Sequence, residues 1–239
     1  MKLSIIIPAY NERHTIGQVL ASLDALDFGF DVEFIVSDDG STDGTANIIK
    51  DLRTTRPLKK HLAAINQGKG AAIRAGLGLV EGDHVIIQDA DLENDPADIL
   101  RLAQESQRTG AQAVYGTRFA AGSRQLGKAS PANLAANRVM TAYANLLFGA
   151  RLTDMATAYK LIQTSVIKKI RLQSLGFDFE PEITAKLLRM GCKIHEVPIS
   201  YLPRSKAQGK KVRWTDGLRY MLVLTRFRLV PLESFILAG

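Results

Sequence analysis

The chain has 239 residues, 46% of them hydrophobic, with a mean hydropathy near zero, enough for one full core and a smaller appendage. Its single cysteine, Cys192, excludes an internal disulfide and any multi-cysteine metal site. Thirty-one lysines and arginines against 24 acids leave a formal charge of +7, which favours an anionic partner: a phosphorylated small molecule, a membrane surface or nucleic acid.

The N-terminal MKLSIIIPAYNE holds a short apolar run, Leu3 to Ile7, that Pro8 stops; it is too short for a secretory signal, so no export is expected. That run reads as a strand, after which Ile16, Val19, Leu20, Leu23 and Leu26 recur at helical spacing. Val32 to Val36 predicts a second strand, Gly44 to Leu52 a helix, His61 to Ile65 a short third strand, and Lys69 to Leu79 an alanine-rich helix. Val85 to Gln88 follows as a strand, Ala97 to Arg108 as a helix and Ala113 to Gly116 as a fifth strand. Such alternation predicts an α/β fold with a parallel, helix-covered sheet whose strands are buried on both faces. Ligands of open sheets of this type sit beyond the carboxyl ends of the strands. There the sequence places its polar clusters: Pro8 to Glu12, Ser37 to Asp43 and Asp89 to Glu93.

From about Gly122 the pattern loosens. Pro131 to Phe148 reads as a long helix, Thr153 to Lys160 as a polar loop, Glu182 to Arg189 as a helix and Lys193 to Tyr201 as a strand. PRSKAQGKKVR, from Pro203 to Arg213, reads as a mobile basic loop. The apolar tail from Leu218 is interrupted by Arg219, Arg226, Arg228, Pro231 and Glu233 and cannot comfortably span a bilayer. The simplest organisation is one domain, residues 1–217, with a C-terminal amphipathic segment, 218–239. That segment suits an interfacial helix broken at Pro231. A helix packed on the domain accounts for the same pattern.

Two acidic clusters carry the chemistry. In VIIQDADLEND, residues i and i+2 of an extended chain point to one side, so Asp89 and Asp91 can present both carboxylates to one site. A hard divalent ion such as Mg²⁺ or Mn²⁺ would join them, with water and phosphate oxygens completing its shell. Capping of the next helix is the alternative, and Asp95 before Pro96 fits it. In VSDDGSTDGT, Gly40, Ser41 and Thr42 make a tight turn, and Asp43 or Ser41 suits a helix cap. Asp38 and Asp39 are left to accept hydrogen bonds from a ribose hydroxyl or a base N–H.

PAYNE at Pro8, DDGSTDGT at Asp38, NQGKGAA at Asn66 and QDADLENDP at Gln88 together resemble the family 2 nucleotide-sugar glycosyltransferases with the GT-A fold, in order and spacing as well as letters. YGTRF at Tyr115, NRVM at Asn137, LTDMATAYKLI at Leu152, FDFEPEITAKL at Phe177 and EVPISYLPR at Glu196 extend the likeness to about Leu218. The chain resembles the subgroup that makes polyprenyl-phosphate sugars and is similar to dolichyl-phosphate mannose synthases.

The resemblance implies a Rossmann-like, mostly parallel sheet flanked by helices, with a C-terminal helical elaboration. It implies that Asp39 and Glu12 hold the nucleoside, supported by Asp38, with Pro8, Tyr10, Lys69, Asp89 and Ala90 also in the nucleotide-sugar site. Asp91, aided by Asp89 and Glu93, would hold Mg²⁺ or Mn²⁺; the mannose synthases often carry glutamine where Glu93 stands. Arg118 and Arg138 lie where the relatives bind the acceptor phosphate, and with Asp91 they form the expected catalytic set. Arg204, Lys210 and Lys211 would close over the diphosphate.

The implied reaction is inverting transfer of a hexose, mannose from GDP-mannose in preference, to a polyprenyl phosphate, giving a β-linked product. UDP-glucose or another UDP-sugar as donor, or a sugar or protein hydroxyl as acceptor, is the alternative. The processive synthases' Gln-x-x-Arg-Trp motif is not matched, since Gln208 and Arg213-Trp214 have the wrong spacing. A cytoplasmic protein, peripheral at the inner face of the membrane, is expected, with the membrane surface as a partner. No recognised nucleic-acid motif is present, so nucleic acid is not an expected partner.

Overall fold

β1 (Lys2–Ala9) is almost continuously apolar because both its faces are covered: Ile5 and Ile7 enter one core cluster and Ile6 the other. The computed structural model describes residues 1–125, 130–204 and 216–237. After β1 come α1 (Ile16–Asp24), β2 (Asp31–Asp38), α2 (Thr45–Asp51), β3 (Leu58–Leu62), α3 (Lys69–Leu77), β4 (His84–Ile87), α4 (Asp98–Thr109) and β5 (Ala113–Thr117). The second half holds β6 (Arg124–Gln125), α5 (Pro131–Phe148), β7 (Lys160–Gln163), α6 (Thr164–Ile167), α7 (Phe179–Arg189), β8 (Ile194–Pro198), β9 (Ser200–Tyr201) and α8 (Asp216–Leu229).

Seven strands form one sheet in the order β3-β2-β1-β4-β7-β5-β8, and β6 pairs with β9 beside it. All sheet pairings are parallel except those of β7, which runs antiparallel between β4 and β5. The α/β, mostly parallel architecture is therefore as expected. One strand hides inside the segment read as a polar loop: β7 opens on Lys160, a fully buried lysine that makes the strand look like loop. The third strand lies earlier than His61 to Ile65, because its pairing with β2 runs from Phe34↔Leu58 to Asp38↔Leu62. α7 also starts earlier than Glu182, since both Glu180 and Glu182 on its first turns are buried.

Against one face of the sheet α1 packs through Ile16, Val19, Leu20 and Leu23, and α4 through Ile99 and Leu102. The other face is covered by Ile73 of α3 and Phe179, Ile183 and Leu187 of α7. A third cluster joins α5 to α8 and α7, with Met140, Ala144, Ala185, Leu224, Phe227 and Phe235 in it. Burial of Leu224 and Phe227, about 1.5–3 kcal/mol for each such side chain, holds α8 to the body. Buried Lys186 adds a polar pin: it lies 4.2 Å from the Phe227 ring centroid and 5.3 Å from that of Phe235, and pairs with Glu182. Among the described residues no helix is long and apolar enough to cross a membrane.

Candidate active site

Parallel register aligns the carboxyl ends of three neighbouring strands, with Ala9 level with Asp38 and Ile6 level with Ile87. The polar clusters that follow β1, β2 and β4 are thereby brought to one edge, at the crevice where ligands of open α/β sheets bind.

The first two loops are stitched together. Ser41 Oγ accepts the Asn11 N–H at 2.9 Å, and Asn11 Oδ1 accepts the Thr42 N–H at 2.9 Å. Asp38 is spent inside this turn, where its carboxylate accepts both the N–H and the hydroxyl of Ser41. Asp39 reaches forward instead: it accepts the Gln67 N–H (3.0 Å), the Gly68 N–H (2.7 Å) and the Asn66 amide (2.9 Å). Three donors occupy three of about four lone-pair sites on a carboxylate, leaving one for a ligand.

Gly68 has φ +111°, and a Cβ there would stand 2.4 Å from the Leu175 carbonyl oxygen. Gly68→Ala should therefore lever the start of α3 away, costing about 1–3 kcal/mol of stability. It should also weaken ligand binding at this edge severalfold, readable by thermal denaturation and by titration with a nucleotide sugar; unchanged binding would detach this turn from the site.

The third loop is strained and pinned. Leu92, between Asp91 and Glu93, has φ 60°, a left-handed conformation uncommon for a residue with a large side chain. The hydroxyl of buried Tyr159 holds both ends of the turn, sharing its one proton between Gln88 Oε1 and the Asp95 carbonyl.

A ladder of alternating charge, buried at Lys160 and Glu180 and half-buried at Lys69 and Asp89, then crosses the site. Lys160 Nζ lies 2.6 Å from Glu180, Glu180 lies 3.1 Å from Lys69, and Lys69 lies 2.8 Å from Asp89. Burial opposes the charge on Lys69, but the Asp89 and Glu180 carboxylates outweigh it and raise its pKa above the ordinary lysine value. Among the described residues no lysine or arginine forms an ion pair with Asp91. Burial first, then the like charges of Asp89 and Glu93, push its pKa up to about 7, against the lowering effect of the Glu93 N–H and Arg204.

The same cavity is lined by Arg118, whose Nε and Nη2 donate to the two oxygens of Asp154 at 2.7 and 2.8 Å, while its backbone N–H adds a third bond at 3.0 Å. Asp154 has no exposed surface, so the guanidinium is fixed in one orientation. It also lies 5.0 Å from the Tyr201 ring centroid and 5.7 Å from that of Phe119.

Of the sequence candidates, Pro8, Tyr10, Glu12, Asp39, Lys69, Asp89, Ala90, Asp91, Glu93, Arg118 and Arg204 line one cavity of about 450 Å³. Asp38 borders a separate recess behind it. Arg138 is not part of the cavity wall; it is exposed on α5 with its guanidinium 5.6 Å from the Phe119 ring centroid. Lys210 and Lys211 lie outside the described residues. Asp154, Glu180, Lys160 and Tyr201 were given no role by sequence reasoning. All four fall within or beside quoted motifs, and an acid or lysine inside an apolar stretch was the available signal.

A hard divalent cation takes one or two carboxylates and fills its shell with water and phosphate oxygens, and Asp91 with Asp89 is a donor set of that kind. Glu93 differs from expectation. Its oxygens accept the Tyr201 hydroxyl and the Arg204 N–H, each at 2.7 Å, and among the described residues no three His, Cys, Asp or Glu side chains form one metal cage. The Arg204 guanidinium reaches Glu12 at 3.1 Å, so one residue ties the loop after β9 to both acidic ends of the cavity.

Comparison with known proteins agrees with this geometry. The chain is 28% identical over 221 residues to a polyprenol monophosphomannose synthase of Mycolicibacterium smegmatis, covering 87% of this chain and 82% of that protein. It is 31% identical over 224 residues to an undecaprenyl-phosphate mannosyltransferase of Micrococcus luteus, covering 88% and 87%. A glucosyl-3-phosphoglycerate synthase of Mycobacterium tuberculosis, solved with Mn²⁺, UDP and glucosyl-3-phosphoglycerate, superposes with a TM-score of 0.70 at 19% identity, over 96% of this chain and 81% of that one. The fold is the expected GT-A arrangement. With its family profile matching residues 4–171, the chain belongs to glycosyl transferase family 2.

Proposed function

We propose that the protein is an inverting hexosyltransferase that moves mannose from a nucleoside-diphosphate sugar, GDP-mannose in preference to UDP-glucose, to a polyprenyl phosphate. The observation that carries this reading is one cavity of about 450 Å³ whose lining joins the carboxylates of Asp39, Asp89 and Asp91 with the fixed cation Arg118. The names of the Mycolicibacterium and Micrococcus relatives support mannose and a lipid phosphate.

Asp39 and Glu12 accept hydrogen bonds from the nucleoside, and Lys69 and Arg204 stand where they can turn from their carboxylate partners to the diphosphate. Asp91, with Asp89, would hold Mg²⁺ or Mn²⁺, which when bound offsets the charge that develops on the departing diphosphate. Arg118 holds the incoming phosphate for attack on the anomeric carbon from the face opposite the leaving group.

A phosphate monoester, with its second pKa near 6, is largely dianionic at neutral pH and needs a cation to orient it, not a base to deprotonate it. Apart from Asp91, which the metal would engage, the carboxylates around the cavity already have partners. Asp39 is engaged by the turn before α3, Asp89 and Glu180 by lysines, and Glu12 and Glu93 by Arg204. A hydroxyl acceptor would require one of them to act as general base.

Purified protein with GDP-mannose or UDP-glucose, with Mn²⁺ present or chelated and short-chain prenyl phosphate added or omitted, tests the reading. Release of GDP that depends on both metal and prenyl phosphate, with a β-linked product by NMR, is the expected result. Release indifferent to prenyl phosphate would move the acceptor to a hydroxyl.

A further inference from the structure

Ten large apolar side chains are exposed among the described residues, and five of them lie on two packed helices: Val139 and Leu146 on α5, Leu218, Leu222 and Leu229 on α8. Helical spacing places Ala135, Val139, Ala142 and Leu146 on one stripe of α5, and Leu218, Leu222 and Leu229 on one stripe of α8. The helices run parallel, because Met140 meets Gly217, Tyr143 bonds Thr225 and Leu147 accepts from Arg228 in succession. At about 100° per residue, both stripes then turn away from the shared core and toward the same side of that seam. Leu146, 80% exposed, and Leu229, 77% exposed, are not the scattered single leucines that any surface carries.

The margins of this face are cationic. By the same rotation Arg138 borders it on the α5 side, and Arg219 and Arg226 border it on the α8 side; all three are exposed. While Arg219 pairs with Asp178 at 2.9 Å, among the described residues Arg226 bonds only the neutral Gln173 amide and Arg138 lies against the Phe119 ring, so both keep a net charge. α5 contains no acidic residue, and α8 has only Asp216, at its first position. Two copies meeting through this face would bring arginine margins together, so like charges oppose self-association. An anionic lipid surface instead accepts the leucines among its acyl chains and the arginines among its headgroups. The same two helices wall the cavity through Ala136, Met140, Gly217 and Tyr220, so seating this face on lipid brings the cavity to the membrane.

We infer that the outer face of α5 and α8 is a bilayer-docking surface selective for anionic lipid. The inference rests on the reading of the acceptor as a lipid phosphate. It enlarges the interface beyond the C-terminal segment, because α5 supplies part of the apolar area.

Co-flotation of the full chain with phosphatidylcholine vesicles, with and without phosphatidylglycerol, tests it. Wild type should float with the anionic vesicles and much less with the neutral ones. Leu146→Glu combined with Leu222→Glu should lower flotation about tenfold, and so should the independent pair Leu218→Glu with Leu229→Glu. Leu62→Glu, a new charge on the distant edge strand β3, should leave flotation unchanged. Both double variants should keep wild-type melting temperature and wild-type transfer to a water-soluble short-chain prenyl phosphate, while transfer to long-chain acceptor embedded in vesicles falls about tenfold.

Wild type that does not float, or double variants that float like wild type, overturns the docking surface and leaves the transferase reading intact. A concentration-dependent dimer of wild type by light scattering, lost in both double variants, also overturns it by assigning the face to a second copy. Absence of transfer to the soluble acceptor in wild type would instead defeat the functional reading, whatever the flotation shows.

Discussion

Asp91→Asn is expected to abolish transfer, by about a hundredfold to a thousandfold, and at the same time to stabilise the metal-free protein above neutral pH. The two effects have one cause. Burial and the carboxylates of Asp89 and Glu93 push the Asp91 pKa up to about 7 in the fold, whereas an unfolded aspartate titrates near 4. Between those values the folded chain binds the extra proton, so stability is fully present below about pH 4 and falls as pH rises toward 7. Asparagine carries no charge to be desolvated and removes that dependence. At pH 8 and without metal, the variant should melt a few degrees above wild type, since about 1 kcal/mol shifts the midpoint of a chain of this size by roughly 2–4 °C. Adding Mn²⁺ should raise the melting temperature of wild type and not that of the variant. The measurement is a pair of melting curves across pH, each with and without Mn²⁺. A variant no more stable than wild type at pH 8, or equally stabilised by Mn²⁺, would remove Asp91 from the metal site.

The sequence makes the acidic wall of the cavity legible because its residues follow apolar strands directly. A run such as Val85 to Gln88 predicts a strand, and parallel strands carry whatever follows them to the same edge. The cation that shares this lining is harder to read. Arg118 follows β5 closely, but its orientation depends on Asp154, 36 residues later in a segment with no periodicity. Lys160 and Glu180 obscured element boundaries for a related reason. A buried ion pair is polar at both positions, so hydrophobic patterning assigns each half to surface or loop, and only the tertiary pairing of β7 with α7 explains them. Glu93 shows a further limit: the motif supplies a carboxylate beside Asp91, but whether it faces a metal or the loop after β9 depends on Tyr201 and Arg204, more than 100 residues away.

Separating the orientation of Arg118 from its charge provides the strongest test of the acceptor side. Asp154→Ala leaves the Arg118 guanidinium largely buried without its partner, a change that typically costs about 3–5 kcal/mol. The freed guanidinium should turn toward water or the Tyr201 ring. The acceptor KM should then rise about tenfold or more, while the donor KM in the same transfer assay stays at the wild-type value, because Asp39 and Lys69 are held by other contacts. Arg118→Met alone should lose both stability and transfer by leaving the Asp154 carboxylate buried and unpaired. Combining Arg118→Met with Asp154→Leu replaces a buried ion pair by apolar side chains of similar bulk, a change that is often neutral or stabilising. The double variant should therefore regain the melting temperature but not the transfer rate, since the cation proposed to hold the acceptor phosphate is gone. Recovery of transfer along with stability would show that Arg118 only holds the fold, and would shift the acceptor phosphate to another cation. Continued loss of transfer in a fully stable double variant places the Arg118 charge, rather than its packing, at the reaction.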